Sequence, residues 1–183
     1  MKLSKLLAAV LIGSTFLVGC GSAKEETPPV NEVTDSDAVT GPSRVTDESQ
    51  LIKALGKDGT WIVLLQNDIS TSKDLVVEGD LQKPSNEDSS VMIAAGRKLA
   101  LYNQNDKKEI TARYTLTAPK LTVKSESTTI KGGTFKGDIY VESKNFTLVD
   151  AKVEGNIYFL NKEAKDTYKL EEGSSVTGVT EMK

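Results

Sequence analysis

Few residues in this chain have the type and spacing to do chemistry. The sequence holds no histidine and one cysteine, Cys20. Without imidazole there is no Ser-His-Asp triad, no HExxH zinc site and no pH switch near neutrality. One thiol excludes internal disulfides, CxxC redox chemistry and cysteine-based zinc sites. The thiol itself remains as an acceptor for a covalent modification. Tyr140 and Tyr158 lie 18 residues apart in matching contexts, Asp-Ile-Tyr-Val and Asn-Ile-Tyr-Phe, so the same structural position carries an aromatic ring twice. Two such rings form a surface for stacking on a sugar or for contact with a protein; the plainer expectation is that they pack on one another as strand formers. Asn103, Asn105 and Asp106 offer oxygen ligands but lack the spacing and glycine of an EF-hand loop. The residues therefore predict no catalytic group, no metal and no cofactor.

The cysteine follows a secretion-type start. Lys2 and Lys5 precede an apolar run from Leu6 to Val18, softened by Gly13, Ser14 and Thr15 and too short and interrupted for a good transmembrane span. The run ends in Leu17-Val18-Gly19-Cys20, which resembles the lipobox of bacterial lipoproteins: an aliphatic residue, a small residue before the cut, then cysteine. That resemblance implies cleavage after Gly19, lipidation of Cys20 and attachment to the extracytoplasmic side of the cell membrane. Each buried acyl methylene contributes ~0.8 kcal/mol, so two or three chains on one cysteine would anchor a soluble domain stably.

Loss of residues 1–19 removes two lysines and no acid, leaving 21 basic against 26 acidic residues, a net charge of −5. The acidic balance, with no basic run interleaved with aromatics, argues against nucleic-acid binding. Residues 20–45 comprise the cysteine and a polar, acidic, Pro- and Gly-containing segment without aromatics, which reads as a flexible tether. A domain over 46–183 follows.

That domain should begin with a helix over Thr46–Gly56, with Thr46 as N-cap, Asp47 and Glu48 in the first turn, Gly56 as terminator, and Leu51, Ile52 and Leu55 on one face. The β-forming run Gly59-Thr-Trp-Ile-Val-Leu-Leu65 comes next. Residues 120–173 are self-similar at an offset of 18. Four apolar columns result: Leu121, Ile139, Ile157; Val123, Val141, Phe159; Ile130, Leu148, Leu170; and Phe135, Val153, Val176. Outward positions between them fall into two further columns, Thr122, Tyr140, Tyr158 and Thr129, Thr147, Lys169, while Gly137, Gly155 and Gly178 share a corner. Leu75 and Leu99 would start earlier rungs of the same ladder. The polar stretches 83–90 and 104–109 would bulge from it.

Stacked columns predict an all-β parallel solenoid with rungs ~4.8 Å apart. An antiparallel β-sandwich is the alternative that apolar alternation leaves open, and the six-residue spacing of β-formers would also suit a left-handed hexapeptide helix. The helix-then-strand entry resembles the start of pectate-lyase-like right-handed parallel β-helices, in which the helix plugs the open coil. Members of that family bind acidic sugars through clustered aspartates with calcium and a basic residue as proton acceptor. No file of carboxylates occurs on the outward columns here, so those roles have no positions to occupy. The exit end, after Val176, shows no covering helix; the charged stretch 161–167 would blunt the edge, or the edge would pair with another chain.

Taken together, these features predict a lipid-anchored envelope lipoprotein. Its solenoid would act as a non-enzymatic binding or display module for a protein or cell-wall glycan, with Tyr140 and Tyr158 as the candidate face. End-to-end structural assembly is the second expectation, and a small polysaccharide-active enzyme the third.

Overall fold

A computed structural model describes residues 42–183 except Asp106. Cys20, the signal segment and nearly all of the tether lie outside the described residues. In chain order the domain opens with β1 (Ser43–Val45), α1 (Glu48–Leu55), β2 (Ile62–Leu65), β3 (Ile69–Ser70) and β4 (Leu75–Val77). A hairpin of β5 (Gln82–Pro84) and β6 (Met92–Ala94) precedes β7 (Lys98–Ala100), and a second, β8 (Tyr102–Gln104) with β9 (Ile110–Arg113), follows it. Next come β10 (Thr115–Val123), β11 (Thr129–Lys131), β12 (Thr134–Val141), β13 (Thr147–Val149), β14 (Lys152–Glu154) and β15 (Ile157–Phe159). The chain closes with α2 (Lys162–Asp166), β16 (Lys169–Leu170), β17 (Ser175–Val176) and β18 (Thr180–Met182).

Outside the two hairpins every strand pairing is parallel, and the chain winds as a right-handed parallel β-solenoid. Sheet A runs β1-β2-β7-β11-β13-β16. The other sheet, sheet B, consists of two ladders joined by the long strands β10 and β12: β3-β10-β12-β14-β17 and β4-β10-β12-β15-β18. The antiparallel sandwich is thereby ruled out. Ser43–Val45, placed by the sequence at the end of the tether, is a strand of sheet A paired with Val63–Leu65.

All four apolar columns stand in register. Leu121, Ile139 and Ile157 align, as do Val123, Val141 and Phe159, and each of these six is fully buried. Ile130 and Leu148 continue to Leu170, and Phe135 and Val153 to Val176. One expectation fails upstream. Leu75 pairs directly with Leu121, whereas Leu99 lies in sheet A between Val63 and Ile130. The stretch from Leu75 to Leu121 is one coil, lengthened by both hairpins, so strand starts counted along the sequence mix two faces.

The corner glycines are set by close approach. A Cβ on Gly137 would sit 1.9 Å from the Ala118 carbonyl oxygen, and one on Gly155 2.0 Å from that of Gly137. Each coil thus lays a glycine against the carbonyl of the coil before it, and the positive φ of both suits glycine alone.

The helix starts one residue later than its sequence suggests. Asp47 is the N-cap: its Oδ1 accepts the Gln50 N–H at 2.9 Å, while Gln50 Oε1 accepts the Thr46 N–H at 2.9 Å. Leu51, Ala54 and Leu55 are buried in the common core and Ile52 is exposed, so Ala54 replaces Ile52 on the packed face. The helix rests on β1, β2 and β4. Its last carbonyls are held by Arg97, whose buried guanidinium donates to Ala54 O at 2.7 Å and to Gly56 O and Glu78 O at 3.3 Å.

At the other end, the charged stretch expected as a loop contains α2, N-capped by Asn161, whose side chain accepts the Ala164 N–H at 2.8 Å. Ala164 is buried, but the helix lies beside β15 and β18, and among the described residues the last coil is left uncovered. Leu170 is 52% exposed, Val179 47% and Met182 40%, against complete burial of Leu148 and Phe159 one coil earlier.

Candidate functional site

The outward column on sheet B is the face singled out by the sequence. Thr122, Tyr140 and Tyr158 are in register on β10, β12 and β15, and Glu181 of β18 extends the file. Their inward neighbours fix this orientation, because Ile139, Val141, Ile157 and Phe159 are sealed in the core and successive side chains alternate across a strand. The two tyrosine rings lie 5.2 Å apart at 45° and are both half-buried. They therefore pack on one another while presenting a shared outer edge.

Basic groups line that edge. Lys183 Nζ donates to the Tyr140 hydroxyl at 2.8 Å and lies 4.5 and 4.7 Å from the ring centroids of Tyr140 and Tyr158. The hydrogen bond to Tyr140 is the main reason its ammonium titrates above the usual lysine range. Lys120 Nζ lies 5.8 Å from the Tyr140 ring and pairs with Asp74 at 2.6 Å. An aromatic pair under two ammonium groups suits a ligand with both flat apolar and anionic or hydroxyl character. The sequence did not reveal Lys183, because its position over the rings depends on the length of the last coil.

A polar ladder runs along the neighbouring corner. Asp138 Oδ1 accepts both the backbone N–H and the side-chain Nδ2 of Asn156, each at 2.9 Å, and Asn156 Oδ1 accepts the Val179 N–H at 2.9 Å. Asp138 aligns with Lys120, so the corner is not a file of carboxylates. Two buried serines repeat at a second corner: Ser143 Oγ donates to Ser125 O at 2.8 Å, and Ser125 Oγ to Gly79 O at 2.9 Å. These serines satisfy buried backbone carbonyls and were missed because Ser reads as an ordinary loop residue.

The oxygen-rich loop of the second hairpin turns its groups onto itself. Asn105 Oδ1 accepts the N–H groups of Lys107 and Glu109, and its Nδ2 donates to Glu109 Oε2 at 2.8 Å. Asp106 lies outside the described residues, and among those described no cluster of three metal-binding side chains occurs. The other outward column, Thr129, Thr147 and Lys169, is in register on sheet A beneath Lys98 of β7. Compared with protein-family models, with curated proteins and with solved structures, the chain matches none.

Proposed function

We propose that the protein is a lipid-anchored envelope lipoprotein whose solenoid holds a non-enzymatic binding face for a protein or glycan on the extracytoplasmic side of the membrane. The observation that carries this reading is the Tyr140–Tyr158 pair under Lys183, fixed in register on a rigid sheet. Preorganised aromatic surface binds with little loss of side-chain entropy. The Leu17-Val18-Gly19-Cys20 motif supports the anchor, the acidic sequence of residues 21–42 supports a spacer, and the lack of histidine supports binding over catalysis. The right-handed coil, with α1 packed against its first strands, is in keeping with the resemblance to pectate-lyase-like proteins, reduced here to a display scaffold. Cys20→Ala should move the protein from the membrane pellet to the soluble fraction. Tyr140→Ser with Tyr158→Ser should abolish capture on glycan arrays or by envelope proteins while the circular dichroism stays unchanged. Capture undiminished in the folded double variant would refute the face.

A second reading, assembly through coil edges, draws on the last coil. Among the described residues nothing pairs with the outer edges of β16, β17 and β18, and Leu170, Val179 and Met182 are exposed beside them. Assembly between two such last coils would be tail to tail and would close as a dimer instead of growing as a filament. Sedimentation velocity over a concentration series tests it: a monomer at every concentration removes this reading.

A further inference from the structure

The outer face of sheet A gathers a cluster from four separate stretches of chain. On adjacent parallel strands β7 and β11, Leu99 and Ile130 pair and are buried, so Lys98 and Lys131 both point outward. Lys98 stands opposite Thr129 and Lys131 opposite Ala100. Strand spacing and rise put these diagonal neighbours about 8 Å apart along the sheet. The Trp61 carbonyl, just before β2, accepts the Lys98 N–H at 2.8 Å. The hairpin β5–β6 then brings Lys83, whose Nζ lies 5.6 Å from the Trp61 ring centroid.

These three lysines are half-buried, and among the described residues none has a carboxylate partner. The other half-buried lysines do: Lys120 holds Asp74 at 2.6 Å and Lys144 holds Glu126 at 3.3 Å. Burial, followed by repulsion from Lys131 and Lys83, pushes the Lys98 ammonium below the usual lysine range. Arg97, next to Lys98 in the chain, adds a buried positive charge bonded to carbonyl oxygens. Asp80 and Glu126 line a cavity of about 370 Å³ that Arg97 and Gln82 also border; Glu126 is taken by Lys144 and Asp80 is exposed. Among the described residues the fold thus holds three partly desolvated ammonium groups together without a paired counter-charge, in a chain that is acidic overall.

We propose that Lys83, Lys98 and Lys131 form a binding site for a multivalent oxyanion, a ligand carrying two or more phosphate or carboxylate groups. One ammonium is matched by one negative charge, but three repelling neighbours are matched only by several. Lysine stems are long enough to close on such a ligand from diagonal positions, and each ammonium brings three donors. The site is on a different sheet from the tyrosine face and does not depend on the reading of that face.

The test uses the full-length chain in neutral detergent at low ionic strength, where screening is weak. Tripolyphosphate and citrate are titrated separately, with orthophosphate as the single-group comparison. Trp61 is the chain's one tryptophan and touches Lys83, so its fluorescence reports occupancy, and calorimetry reads the same constants independently. We expect saturable binding of tripolyphosphate, citrate or both, the stronger of the two naming the ligand chemistry. Lys98→Gln and Lys83→Gln should each weaken it about tenfold, and the exposed control Lys124→Gln less than about twofold. Lys→Gln relieves repulsion here, so both variants should keep their circular dichroism and melting temperature. Absence of saturation by either anion at about 10 mM would overturn the proposal, as would unchanged affinity in the two folded variants.

Discussion

Asp138 and Asn156 occupy one corner of successive coils, and a single carboxylate oxygen of Asp138 receives both the main-chain and the side-chain N–H of Asn156 at 2.9 Å. Asn156 in turn receives the N–H of Val179 in the last coil, so one carboxylate begins a chain of bonds that ties three coils together. Asp138→Ala strands a part-buried N–H and should lower stability by about 1–2 kcal/mol, while Asp138→Asn keeps an acceptor oxygen and should cost less. Urea unfolding of the two variants checks the order.

Gly155→Ala should be among the most damaging small substitutions. The new Cβ would meet the Gly137 carbonyl at 2.0 Å and its carbon at 2.6 Å, both backbone atoms of the neighbouring coil. Loss of about 3 kcal/mol or more is expected. Gly56→Ala, whose nearest contacts are 3.4 and 3.5 Å and whose φ is −68°, should change stability by about 0.5 kcal/mol at most. Thermal melts of both variants distinguish close packing from a general intolerance of alanine.

Leu148 and Leu170 belong to one column yet should respond differently to the same change. Leu148→Asp buries an unpaired carboxylate among apolar neighbours and should unfold the domain, at a cost above about 4 kcal/mol. Leu170→Asp, at a position 52% exposed, should cost about 1 kcal/mol or less. Retention of the β-type circular dichroism spectrum in Leu148→Asp would contradict the inward assignment.

Tyr168 carries the one buried side-chain polar atom that lacks a hydrogen bond among the described residues. Its ring packs against Phe146 at 5.9 Å and Phe159 at 5.2 Å, and burial pushes its hydroxyl up to about 12. The folded value exceeds the unfolded one, so this contribution is whole below pH 10 and is lost as the pH rises from 10 to 12. The loss should be on the order of 1–2 kcal/mol, discounted because the ring is partly exposed. Tyr168→Phe removes the orphan hydroxyl and should raise stability at pH 8 by about 1 kcal/mol. It should also flatten this part of the alkaline decline, as measured by urea unfolding at pH 8 and pH 11.5.

The columns are legible in the bare chain because parallel, in-register coils of constant length turn stacking into arithmetic. An offset of 18 places Ile139 on Leu121 and Val141 on Val123, and alternation then assigns Tyr140 outward with its neighbours inward. The corner glycines are legible for the same reason. Where coil length varies, that arithmetic fails: with two hairpins inserted, Leu99 lies on a different sheet from Leu75.

The order of residues alone settles the repeat, the inward and outward sides of the strands, and the chemistry withheld by the absence of histidine. Which residues end a stack, and which distant residues meet, follows only from the folded chain. Leu170 has the same side chain and column as Leu148, but burial of a β-strand residue depends on a neighbouring coil, and among the described residues Leu170 has one on one side only. Lys83, Lys98 and Lys131 are ordinary charged residues along the chain, and they come near one another because a hairpin brings Lys83 to Trp61 while parallel pairing sets the strands of Lys98 and Lys131 side by side. Periodicity encodes contacts between equivalent positions; contacts made by inserted segments have no period, and only folding reveals them.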